Sequence, residues 1–317
     1  MDSSTESIAT TSLAIEHHGK RILIEAVAGD HIAAMIDASK KFYEWQYLGT
    51  LAEYLNPGDL VLDVGANIGN HSLYFAAVCE AKVISFEPLP LAADILQRNV
   101  DSNSLQDHIE VRRVALGEKP SRATLDKLDL KNVGATTFAV SSDGEYAVSA
   151  IDVEEIRQRV ALIKVDAEGM DVAVLKGAVD LIARDRPIIA CEAATAVEQA
   201  ELEQFASESG YSFVAQFNAT PTYILVPSAT PLERAHMERR AAGLITRTNW
   251  ATRDLYYRLG LVNGELKSIK DGLSTAPAEQ DASTAVAELS ERVKQLEVLL
   301  GELSNRLEDR DPNAAGA

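Results

Sequence analysis

The sequence predicts an α/β protein with a mostly parallel sheet covered by helices on both faces, and three observations carry that prediction. A buried strand runs through a glycine turn into a helix at VLDVGANIGNHS (61–72). Strands and helices then alternate as far as residue 226. The last two strands are joined by Asn218–Pro221, too short for a crossover helix, so they form a hairpin and one of them runs antiparallel.

Taken in order, residues 1–11 are polar and read as unstructured. The β-rich runs 12–16 and 21–27 flank Gly19 and predict a hairpin. His17 and His18 invite a metal-binding reading, but neighbours on a strand point to opposite faces, so exposed turn residues are expected. From 30 to 55, Ile32, Met35 and Ile36, then Phe42, Trp45, Leu48, Leu51 and Leu55, recur at helical spacing with a break near 39–41. Such a stripe is expected to pack against the main domain, so residues 1–58 form a hairpin and helical cap.

The main domain, 59–228, is expected to hold strands at 60–64, 82–86, 109–114, 161–166, 187–191, 211–217 and 222–226. Helices are expected at 69–79, 91–102, 152–159, 169–183 and 195–208. A Gly-, Thr- and Ser-rich stretch at 117–150 interrupts the alternation and is placed to cross the top of a site. Residues 229–277 read as a helical extension and linker. In the tail, 278–317, Val286, Leu289, Val293, Leu296, Leu300, Leu303 and Leu307 step by three and four, a coiled-coil seam expected to join two copies or a partner. The other reading of that seam is one amphipathic helix folded back on the domain.

Composition narrows the function classes. The chain is 46% hydrophobic and has no apolar run long enough to cross a bilayer, and its polar start lacks the features of a secretory signal, so a cytoplasmic protein is expected. Its two cysteines, Cys79 and Cys191, lie in apolar segments, so a reducing compartment rather than a disulfide framework is expected. A net charge of −18 opposes phosphate backbones and favours a small molecule or glycan over nucleic acid. The arginines at 234, 239, 240, 247, 253 and 258 are read as a solvated face rather than a basic patch.

In open α/β sheets, ligands sit beyond the carboxyl ends of the strands. Gly65, Ala66, Asn67 and Gly69 form a turn able to admit a ligand, and Glu87, twenty-two positions after Gly65, ends the next strand where an acid can bond both hydroxyls of a ribose. Those two linked signals point to an adenosine cofactor. Asp63, the Val114–Gly117 turn, Asp166–Gly169 and Glu192 follow other strands into the same crevice, and Asp166 and Glu168 are alternatively helix-end acids.

VLDVGANIGNHSLYFA, then ISFEP, VALG, IKVDAEGMDVAVLKGA and the CE at 191–192 together resemble the FkbM family of S-adenosylmethionine-dependent methyltransferases over roughly residues 30–226. The resemblance implies the Rossmann-like class I methyltransferase sheet of seven strands in the order 3-2-1-4-5-7-6, and O-methylation of sugar- or polyketide-derived hydroxyls. It implies S-adenosyl-L-methionine as cofactor, with Asp63 and the Gly65–Gly69 turn, including Asn67, at its methionine end, Glu87 on the ribose and Val114–Leu116, centred on Ala115, beside the adenine. Asp166 and Glu168 would face the methyl group. Asp171 stands where relatives often carry Glu.

Methyl transfer is an in-line displacement that needs the acceptor's proton removed. Asp166 is the first candidate base, with His71 and Glu168 behind it. A divalent cation on Asp166 and Glu192 is the alternative way to lower the hydroxyl pKa. A nicotinamide-dependent oxidoreductase shares the glycine turn and ribose acid but needs a Tyr-x-x-x-Lys-type constellation, which is not found in the expected region. A non-catalytic scaffold assembled through the coiled coil, including a glycan-assembly partner, is the reading from another class.

Overall fold

The computed structural model describes residues 8–228 apart from 18, 128–135, 142 and 219. The expected helical extension, basic stretch and coiled-coil seam beyond 228, and His18, lie outside the described residues.

The chain opens with an antiparallel hairpin, β1 (Thr10–His17) and β2 (Lys20–Val27), turning at Gly19, followed by α1 (His31–Ser39) and α2 (Trp45–Ala52). Asp30 caps α1 by accepting from the backbone N–H of Ile32 and Ala33. The break expected near 39–41 is sharp: Lys40 and Glu44 both adopt left-handed backbone, at φ 55 and 58. Phe42, Leu48 and Leu51 are buried as expected of a packing stripe, whereas Trp45 is exposed, with the Lys41 ammonium over its ring. His17 is not an exposed turn residue. Its ring is half-buried with edge contacts to Phe42 and Tyr74, because the hairpin lies against the cap and the first helix of the main domain.

The main domain runs β3 (Leu60–Val64), α3 (Asn70–Ala77), β4 (Lys82–Phe86), α4 (Pro90–Ser102) and β5 (Ile109–Arg112). A side excursion follows, β6 (Ala115–Leu116), β7 (Ser121–Lys127), β8 (Thr137–Val140) and β9 (Tyr146–Ser149). The chain then returns through β10 (Val160–Val165), α5 (Asp171–Gly177), α6 (Val179–Asp185), β11 (Ile188–Glu192), α7 (Ala196–Ser209), β12 (Tyr211–Phe217) and β13 (Thr222–Pro227). Seven strands form the main sheet in the order β12-β13-β11-β10-β3-β4-β5; counted along the chain within this sheet, that is 3-2-1-4-5-7-6. All neighbours are parallel except those of β13, which is antiparallel to β11 and β12. Every residue of β3 and β10 is buried, which is why these central strands read as continuous apolar runs rather than alternating ones.

Three expected elements differ. Residues 152–159 form no helix: Asp152 accepts from the Glu154 N–H, and the Arg184 guanidinium takes the carbonyls of Val153 and Ile156 that a helix would need for itself. The helix expected at 169–183 starts at Asp171 and breaks at Ala178, whose N–H turns back to Leu175. The strand expected at 109–114 stops at Arg112, and Ala115–Leu116 pairs instead with β9 in a separate sheet of order β6-β9-β7-β8. The Gly- and Ser-rich interruption is therefore largely a second sheet, packed around Ala115, Ala123 and Val148.

The hairpin is tied to the main domain by α4. Asn103 bonds both backbone groups of Leu23, and the buried Asn99 bonds both backbone groups of Glu25 and also the carbonyl of Ile68. Two asparagines one helical turn apart thus satisfy the open edge of β2, which would otherwise be a row of unpaired groups.

Candidate active site

The carboxyl ends of β3, β4, β10 and β11 open onto one cleft of about 530 Å³. Its walls include Gly65–Ile68, Glu87, Val114–Leu116, Asp166–Glu168 and Glu192. Further lining comes from Tyr43 and Glu44 of the cap and from Thr136 and Phe138 of the second sheet. The crevice predicted from strand ends is real, and two flanking segments complete it.

The turn after β3 is shaped by the protein before any ligand arrives. Gly65 lies at φ 69, and a Cβ there would overlap the carbonyl oxygen of Asp166. The glycine is required by the adjoining strand end, not only by the approach of a ligand. The N–H groups of Gly65 and Ala66 both donate to Phe86, at 3.0 and 3.1 Å. Gly69 lies off the cleft wall against Leu96 of α4, where it gives the helix room to pack; the cofactor contact that the resemblance implied for it is not on that wall.

Glu87 is buried at the end of β4. One carboxylate oxygen accepts the Asn67 N–H and the other the Leu89 N–H, each at 2.8 Å. Burial pushes its pKa up to about 7, against the opposing pull of those two amides. Each oxygen keeps a further lone pair, and Glu87 and Asn67 both line the cleft.

Asp63 does not reach the cleft. It is completely buried beneath the turn, where Ser72 donates to one oxygen and the Lys164 ammonium lies 3.1 Å from the other. Burial pushes the Asp63 carboxyl up, and Lys164, His71 and Ser72 more than offset it, holding it below the usual range. Lys164 also donates to the carbonyls of Val64 and Gly65, at 3.2 and 2.9 Å. The pair therefore locks the strand ends of β3 and β10, a structural role that replaces the cofactor contact expected of Asp63.

The acids after β10 and β11 gather at one side. The Asp166 side chain is 36% exposed and lies 3.7 Å from the Lys164 ammonium. Burial, and then the Asp166 carboxylate within hydrogen-bonding reach, hold Glu192 protonated well above the usual carboxylate range. Glu168, in left-handed backbone at φ 47, is pushed up to about 7 by burial and by Asp166 and Asp171. Asp166, considered with Glu192 for a divalent cation, is close enough to raise the Glu192 carboxyl, and among the described residues no group of three or more His, Cys, Asp or Glu is disposed to hold a metal ion.

The sequence reading missed Glu44 altogether and, for Asp171, missed the role it plays. Asp171 is not merely the start of a helix: its oxygens accept the N–H of Ala167 and Gly169 at 2.9 and 3.2 Å, stapling the acidic loop, and burial raises it to about 6. Its place four residues after Ala167, opening the helix, was the available signal. Glu44 approaches His71 on the cleft wall, and nothing in the sequence around residue 44 signals it.

Residues 63–213 match a family profile described as "Methyltransferase FkbM domain". Among curated proteins, the chain is 29% identical over 141 residues to Hexuronic acid methyltransferase AglP of Haloferax volcanii, covering 42% of this chain and 56% of that protein. It is 28% identical over 153 residues to Methyltransferase sdnD of Sordaria araneosa, covering 37% of this chain and 59% of that protein. The matched regions thus span a little over half the length of these relatives. A crystal structure of Methyltransferase FkbM from Methylobacillus flagellatus KT aligns with a TM-score of 0.41 at 21% identity, over 53% of this chain and 43% of that one.

Proposed function

We propose, from the match of residues 63–213 to the FkbM methyltransferase domain, that the protein is an S-adenosyl-L-methionine-dependent O-methyltransferase acting on a hydroxyl of a sugar, glycan or polyketide-type acceptor. The observation that carries the reading is the wall formed by Glu87 and Asn67. The two Glu87 carboxylate oxygens each accept one backbone N–H, from Asn67 and Leu89, and keep acceptor capacity at the end of β4, where the two hydroxyls of a ribose would be donors. The apolar groups of Val114, Leu116 and Ile68 line the same cleft and fit a flat adenine.

When bound, S-adenosyl-L-methionine supplies a methyl carbon activated by its sulfonium leaving group. Glu87 would hold the ribose, and Ala115 would flank the base. The strand-end acids would face the reacting carbon, and Asp166 would accept the proton of the acceptor hydroxyl. The sugar class draws support from the hexuronic acid named for the Haloferax relative, and the polyketide class from the family resemblance alone.

Calorimetric titration with S-adenosylmethionine, S-adenosylhomocysteine and NAD tests the cofactor. Micromolar binding of the two sulfur ligands, weakened in Glu87→Ala, is expected, and binding of NAD alone overturns the proposal. For the base, Asp166→Asn is expected to abolish turnover while leaving S-adenosylhomocysteine binding intact, and near-normal turnover eliminates that role.

A further inference from the structure

The cap, which precedes the family-matching residues, brings a carboxylate to a histidine of the main domain. Glu44 sits immediately before α2 in left-handed backbone at φ 58, with no side-chain capping bond to account for it. The hold comes from α3, whose first residue, Asn70, accepts the Tyr43 N–H and donates to the Tyr43 carbonyl, both at 3.0 Å. That clamp presents Glu44 to the next residue of α3: its Oε2 lies 3.2 Å from the His71 Nε2, with the two side chains 17% and 10% exposed.

The Tyr47 ring meets the imidazole edge-on at 5.8 Å and limits its rotation. Nε2 is buried and makes no aligned hydrogen bond, and the Glu44 carboxylate at 3.2 Å is the acceptor offered to it. A carboxylate only accepts, so Nε2 must carry the hydrogen, and in a neutral ring Nδ1 then keeps its lone pair. Both residues line the cleft that holds Asp166 and Glu168.

We propose that Glu44 is a positioning residue that fixes His71 as the Nε2–H tautomer, so that the Nδ1 lone pair accepts a hydrogen bond from a hydroxyl of a hexose-type acceptor. The role is distinct from the proton removal assigned to Asp166, and it rests on the reading of the cleft as a methyl-acceptor site. A hexose presents neighbouring hydroxyls, so one held by His71 orients the next toward the strand-end acids. No bond other than hydrogen bonds is made or broken at His71.

Imidazole nitrogen NMR on the full chain, at a pH where its histidines are neutral, tests the assignment, with His71→Gln identifying the resonances. The wild-type ring is expected as the Nε2–H tautomer. Glu44→Gln, whose amide offers a donor as well as an acceptor, is expected to lose that preference. Methyl β-glucopyranoside added to S-adenosylhomocysteine-saturated protein is expected to shift the Nδ1 signal of the wild type and not that of Glu44→Gln.

An Nδ1–H ring in the wild type, identical spectra for the two proteins, or no shift with the sugar overturns the proposal. Loss of S-adenosylhomocysteine binding in Glu44→Gln alone makes the pair structural and also overturns it. A wild type that binds no S-adenosylhomocysteine, with the tautomer as expected, overturns the methyl-transfer reading instead.

Discussion

Protonation of Glu87 should control cofactor affinity, and the structure sets its size. The carboxyl is raised to about 7 because burial outweighs the two backbone amides bonded to it. Ribose hydroxyls donate to the ionised form, so binding favours deprotonation and the affinity rises with pH until the carboxyl is already ionised in the free protein. With a pKa of about 7, the ionised fraction is roughly ten times larger at about pH 8 than at about pH 6, so S-adenosylhomocysteine should bind about tenfold, or about 1.4 kcal/mol, more tightly at the higher pH. Calorimetric titrations in two buffers of different ionisation heat measure both the affinity and the protons released. Glu168 is also raised to about 7, so the control is Glu87→Gln, in which the part of the pH dependence due to Glu87 should vanish and the affinity fall. An affinity constant across that range in the wild type, or a pH dependence that survives unchanged in Glu87→Gln, refutes the reasoning.

Other perturbations act on the same scaffold. Gly65→Ala puts a methyl group against the Asp166 carbonyl and an L-residue at φ 69, so it should destabilise the fold by more than the roughly 1–2 kcal/mol of the backbone conformation alone, read from denaturant midpoints. Asn99→Ala removes three hydrogen bonds from one buried side chain and should cost about 2–4 kcal/mol in the same assay; a cost under about 1 kcal/mol would mean the hairpin is held by its apolar face instead. Asp171→Asn turns an amide donor toward one of two backbone N–H groups and should destabilise by about 1–3 kcal/mol, with hydrogen exchange faster at Ala167 or Gly169.

What the sequence made legible follows from which interactions are local. β3, β4 and β12 end where their apolar runs end, and the Gly19 turn and the Asn218–Pro221 link announced their hairpins. Glu87 was readable because a strand end and a fixed spacing from the glycine turn locate it. The failures are contacts made across the chain. Arg184 reaches back to Val153 and Ile156 and cancels a helix whose local pattern was sound. Asp63 occupies the expected motif position, but Lys164, about a hundred residues further along the chain on the neighbouring strand β10, holds it under the turn. Glu44 reaches His71 only because Asn70 clamps the preceding residue, and asparagine at a helix start gives no hint of that.

The same long-range contacts explain why the glycine turn can be rigid although it is made of small residues. Asn99 holds the Ile68 carbonyl from α4, Glu87 holds the Asn67 N–H from β4, and the Asp166 carbonyl abuts Gly65 from β10. Each restraint comes from a different element, so the turn is fixed on three sides and little backbone entropy remains to be lost when a ligand docks. Asn99 also bonds both backbone groups of Glu25, which makes the hairpin part of that support rather than an appendage. The cap adds Glu44 to the cleft and the hairpin braces the glycine turn, so residues ahead of the family-matching domain help to shape the cleft itself.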